Sequence, residues 1–149
     1  MFKAMKKTTS IIMSILILSS CLSIGVVATP VVCNVNYDDQ IDLCWENLIS
    51  SSLSLDFTSS NIIEGSVSLI GKAGTKYKNG TIKIDRYTGT SWVNVKTWSN
   101  RSSSTQTFTF ITNTLTALRN TKYRLTIEIT VYNGSSSEVI SLSKTSTNS

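Results

Sequence analysis

From Tyr123 to Tyr132 the sequence alternates without a break. Tyr123, Leu125, Ile127, Ile129 and Val131 occupy one phase, and Arg124, Thr126, Glu128, Thr130 and Tyr132 occupy the other. Successive side chains of a strand point to opposite faces, so this run has one apolar face and one wet face. Asn133-Gly134 follows directly, and Val139 to Lys144 alternates again. Two alternating runs separated by a glycine-bearing turn make a β-hairpin.

The same short alternation recurs upstream. Leu53, Leu55 and Phe57 alternate with Ser54 and Asp56, and Val67 and Leu69 with Ser66 and Ser68. Ile82 and Ile84 alternate with Lys83 and Asp85, Val93 and Val95 with Asn94 and Lys96, and Phe108 and Phe110 with Thr107 and Thr109. Polar stretches separate them: Lys72 to Gly80, Thr88 to Ser91, and Asn100 to Ser104. With the hairpin this makes seven short strands between Ser50 and Thr145, the pattern of an all-β sandwich of about 100 residues. The expected core is the apolar phase of each run, with Leu118 added. Each such side chain contributes roughly 1.5–3 kcal/mol when fully buried.

The entry to the hairpin resembles strand F of a fibronectin-III or immunoglobulin-like sandwich. Leu118 precedes Tyr123 by five residues, with Asn120 and Thr121 between them. In those folds a leucine closes the core and the tyrosine hydroxyl bonds backward to the backbone, forming a tyrosine corner. The resemblance assigns that role to Tyr123 and implies an antiparallel sandwich of about seven strands.

Residues 1–28 read as a secretory signal peptide. Lys3, Lys6 and Lys7 form a basic n-region, Ile11 to Val27 an apolar h-region, and Val26-Val27-Ala28 a small-residue cleavage site before Thr29. The expected localisation is therefore extracellular. Leu18-Ser19-Ser20-Cys21 also resembles a bacterial lipobox, which would leave the protein lipid-anchored through Cys21; the apolar run Leu22 to Val27 argues against it. The chain has 14 basic and 9 acidic residues, and losing the three leader lysines lowers the net charge from +5 to +2. The basic balance thus belongs largely to the leader. No run of Lys or Arg points to nucleic acid, and none is expected as a partner. After processing no membrane partner is expected either.

Cleavage leaves Cys33 and Cys44, an even pair in an oxidising compartment, and predicts a disulfide between them. Closing that loop stabilises by roughly 3 kcal/mol in the chain-entropy model. Residues 29–49 form a lead-in. Asp38 is placed to cap a short helix in which Ile41, Cys44, Trp45 and Leu48 recur at helical spacing. The sandwich is expected over 50–145 and a tail over 146–149.

A longer motif carries a second resemblance. Ile84 to Ser99, with Trp45-Glu46-Asn47 upstream and Lys122-Tyr123-Arg124 downstream, is similar to a family of small secreted Gram-positive bacterial proteins defined only as a domain of unknown function. The similarity spans roughly Trp45 to Ser143. It implies export and a β-rich fold, and no activity; the Cys33–Cys44 pair is not part of that pattern.

Catalytic chemistry has little to stand on. The chain has no histidine, which removes Ser-His and Cys-His nucleophile pairs and histidine metal sites. Gly71-Lys72-Ala73-Gly74-Thr75 holds P-loop residue types in the wrong order, and no cofactor motif occurs. Asn36, Asp38, Asp39 and Asp42 gather oxygen donors but lack the glycine and distal glutamate of a calcium loop. The constellation that remains is aromatic. With Val93 and Val95 facing the core, Tyr87, Trp92 and Trp98 share the wet face with Asn94 and Lys96, and the outer side of the hairpin adds Arg124 and Tyr132. Flat aromatics beside polar groups stack sugar rings or anchor protein partners. The expected function is a non-catalytic extracellular binding module for a cell-wall or host glycan or a surface protein. A small toxin of the bacteriocin type and a purely structural protein are the alternatives.

Overall fold

The computed structural model describes the backbone of residues 31–36 and the whole of residues 45–149. The described chain holds eight strands: β1 (Val31–Asn36), β2 (Leu48–Phe57), β3 (Ile62–Gly71), β4 (Lys76–Tyr87), β5 (Trp92–Ser103), β6 (Thr107–Thr116), β7 (Thr121–Asn133) and β8 (Ser136–Asn148). They form a five-stranded sheet in the order β1-β8-β7-β4-β5 and a three-stranded sheet in the order β2-β3-β6. All pairings are antiparallel except that of β1, which runs parallel along the edge of β8. This is a β-sandwich with Greek-key crossings of immunoglobulin-like type. β5 follows β4 into the larger sheet, as an added strand does in variable-type domains.

The alternating run named first is the centre of the larger sheet. Tyr123, Leu125, Ile127, Ile129 and Val131 of β7 are all buried, level with Ile82 and Ile84 on β4 and with Ile140 and Leu142 on β8. Leu53, Leu55, Ile63, Val67, Leu69 and Phe108 close on them from the smaller sheet. The β7–β8 turn has two residues, Gly134 and Ser135, and Gly134 takes a φ of +62° as the first of them. Only glycine does so at no steric cost, which is why the turn signal sits there.

Several expectations change. The polar stretch 72–80 contains the start of β4, and Tyr77 within it is among the most buried residues of the protein. Its hydroxyl bonds the carbonyls of Leu69 (3.3 Å) and Gln106 (3.0 Å), and burial pushes its pKa up to about 12. A bulge hides this strand from the sequence: Asn79 is left-handed at φ 55° and breaks the period of two. β5 likewise continues through the polar residues 100–103.

Leu118 does not close the core. It is 54% exposed, and Ala117 and the half-buried Leu115 fill the inner positions instead. Val93 and Val95 are also outside the core, at 44% and 39% exposed, because the edge strand β5 overhangs a facing sheet that is two strands narrower.

The domain limits move outward. β8 runs to Asn148, whose buried amide bonds Asn61 and the Leu118 carbonyl, so residues 146–148 are strand rather than tail. At the other end Trp45 joins the core, and the buried carboxylate of Glu138 accepts the backbone N–H groups of Glu46 (3.2 Å) and Asn47 (2.8 Å). Trp45 to Asn47 are not helical, and Leu48 opens β2. The rest of the expected helix, the acidic residues from Asp38, the signal peptide and Cys44 lie outside the described residues. The Cys33–Cys44 pairing therefore falls outside them too; Cys33 is on β1, level with Ile140.

The tyrosine corner is present, with the hydroxyl as acceptor. The backbone N–H of Leu118 donates to the Tyr123 hydroxyl oxygen at 2.9 Å, and Phe57 packs against the ring.

Candidate functional site

The aromatic constellation forms in part, and the register of β5 decides which part. Cross-strand partners point to the same face. Ile82 faces Trp98 and Ile84 faces Lys96, while Asp85 faces Asn94 and Tyr87 faces Trp92. Between Lys96 and Asn94 the chain carries one residue more than β4 does, and that residue is Val95. The bulge inverts the phase of everything before it. Trp92 and Asn94 therefore lie on the outer face with Asp85, and Trp98 and Lys96 lie on the inner face with Ile82 and Ile84.

Trp98 is thus a correction. It is half-buried, with its ring edge-on to Phe110 of β6 at 5.0 Å between centroids, and it bridges the two sheets along their open side. Lys96 is exposed on the inward side of an edge strand. An inward charge and a bulge are devices that keep such edges from pairing with other chains. Tyr132 is a second correction. It is eight residues from Arg124 along β7, about 27 Å at ~3.4 Å per residue, and Lys78 covers its ring at 4.9 Å. Its distance from Trp92 takes it out of the group.

Four of the expected residues do come together. Arg124 reaches across β4 from β7, and its guanidinium lies over the Trp92 ring, 4.4 Å from the centroid. Its terminal nitrogen also donates to Asp85 Oδ2 at 3.0 Å in an ion pair. The other oxygen of Asp85 accepts from Asn94 Nδ2 at 3.1 Å, and Asn94 Oδ1 accepts from Thr97 at 3.1 Å. Tyr87 completes the group, its ring tilted against Trp92 with centroids 5.2 Å apart.

Each side chain is held by a neighbour on the next strand. Asp85 is buried, so its charge requires a partner, and Arg124 and Asn94 satisfy both oxygens. Stacking on indole then holds the plane of the guanidinium. The result is a rigid, half-exposed aromatic and cationic platform on the wet side of the larger sheet. Asp85, which alternates with Ile84 on β4, is its organising group. The signal for it was available in the spacing of Asp85 and Tyr87, two residues apart on one strand face.

No protein-family model and no curated protein matches the chain. Among the described residues no three His, Cys, Asp or Glu side chains gather closely enough to hold a metal ion. What the arrangement offers chemically is a pair of aromatic rings tilted at 51°, a guanidinium and an amide, which together suit recognition of a ring bearing hydroxyl groups.

Proposed function

We propose that the protein is exported and acts as a non-catalytic binding module, with its ligand seated on the outer face of the five-stranded sheet at Tyr87, Trp92, Asn94 and Arg124. The observation that carries the reading is the stacked Arg124–Trp92 pair anchored by Asp85. A large aromatic left half-exposed on a wet face, and fixed there by an ion pair, is prepared to bind without losing side-chain freedom. The leader-like N-terminus supports export. A glycan is the favoured ligand class, since pyranose rings stack on indole through their C–H faces while their hydroxyls reach amide and guanidinium groups.

A glycan array followed by titration of Trp92→Ala tests this. The expected outcome is a variant that melts like the wild type and loses its glycan ligand. A variant that binds as before overturns the reading, and so does one that unfolds, because Trp92 would then be core.

A further inference from the structure

We infer that the open end of the sandwich beside this platform is a groove for an acidic polysaccharide, a chain of pyranose rings carrying carboxylate groups. The inference deepens the reading above and takes from it that the ligand is a sugar chain.

The groove lies between the β4–β5 turn, residues 88–91, and the β6–β7 connection, residues 117–120, with a volume of about 610 Å³. Tyr87 lines it and also stacks on Trp92, so groove and platform are continuous. Its charged lining residues are Arg86 and Lys122, and no carboxylate is among them. Neither cation makes an ion pair among the described residues. Two unpaired like charges in one groove repel each other, and an anion between them reverses the sign of that interaction. Asp85, the nearest acid along β4, is already engaged by Arg124 and Asn94 and does not compensate them.

The apolar lining favours rings over a flexible anionic chain. Leu118 and Tyr87, which is 36% exposed, present hydrophobic surface to the same space. Leu118 does not point outward because its loop is loose. Its N–H is held by the Tyr123 hydroxyl and its carbonyl by the Asn148 amide, and the neighbouring Ala117 N–H is held by the Asn61 carbonyl at 2.7 Å. Opposite it, the Thr88–Ser91 turn closes on its own hydrogen bonds. Both walls are therefore set before a ligand arrives, which lowers the entropic cost of binding. A planar guanidinium matches a carboxylate in a two-point geometry, and Arg86 supplies one.

Calorimetric titration of the purified chain with a short oligogalacturonate tests the inference, beside a neutral cello-oligosaccharide of equal length, inorganic polyphosphate and a single-stranded DNA oligonucleotide. The oligogalacturonate is expected to bind, and to bind more weakly as salt rises. Removing each cation in R86A and K122A is expected to weaken it about tenfold or more. Leu118→Ser is expected to weaken it while leaving the melt unchanged, since this side chain packs no core. Absence of oligogalacturonate binding overturns the proposal, as does binding indifferent to both cations. Polyphosphate or DNA binding as tightly as oligogalacturonate overturns it too, because charge alone would then suffice. A neutral oligosaccharide that binds, is lost in Trp92→Ala and is indifferent to Arg86 and Lys122 overturns the groove and leaves the platform standing.

Discussion

Trp92 and Trp98 stand six residues apart on one strand, a spacing that in a regular strand puts both on one face, yet they serve opposite sides of the sandwich. Trp98 turns inward and meets Phe110 across the gap between sheets; Trp92 turns outward and lies under Arg124. The difference is the single extra residue at Val95. It teaches that the phase of an edge strand belongs to its pairing and not to its own alternation. The aromatics divide accordingly. Trp98, Tyr77 and Tyr123 hold the sandwich together, and Trp92 and Tyr87 are displayed by it.

The largest expected effect is on the inner side. Trp98→Ala removes the ring that joins β5 to β6 and is expected to cost about 3 kcal/mol, the lower end of the range for a core aromatic. A denaturant melt measures it, and a loss below about 0.5 kcal/mol, typical of a surface position, breaks the comparison.

Tyr77→Phe comes next. It removes the donor shared by two carbonyls, while the Gln106 carbonyl keeps the Gly71 N–H at 2.7 Å, so the expected cost is about 1.5 kcal/mol, the upper end for a net hydrogen bond. The hydroxyl also carries a pH signature. The folded protein holds this proton more tightly than the unfolded chain, whose tyrosine titrates near 10.0. Its contribution is complete below pH 10 and is lost as pH rises towards about 12. Wild type and Tyr77→Phe should therefore converge in stability across that window; parallel curves would place the hydroxyl in water.

Tyr123→Phe keeps the ring and loses the acceptor for the Leu118 N–H. The expected cost is about 0.5–1.5 kcal/mol, with the strand pairing of β7 unchanged by hydrogen exchange. The smallest effect is expected from Trp92→Ala, under about 1 kcal/mol, the value of one partly exposed cation–π contact. If Trp92→Ala costs as much as Trp98→Ala, the division between holding and displaying fails.

The sandwich was legible because its signal is local. Period-two alternation in β2, β3, β6, β7 and β8 reports which face is buried without reference to any other strand. The corner at Tyr123 was legible because its partner Leu118 lies only five residues away. Tyr77 was missed because it stands between Lys76 and Lys78 and Asn79 interrupts the alternation two residues later.

The candidate site was half legible for the same reason. Tyr87 and Trp92 flank one tight turn, so their meeting is a property of a short stretch of chain. Arg124 lies on another strand, and only the β4–β7 register sets it beside Asp85. By itself the sequence determined an all-β chain with the apolar phase of β7 at its centre, since alternation is written residue by residue. Only the tertiary structure decided which tryptophan faces water, that Leu118 is held outward, and that Asp85 gathers Arg124 and Asn94. A bulge and a cross-strand ion pair exist only once strands are paired, and pairing is not a property of any one segment.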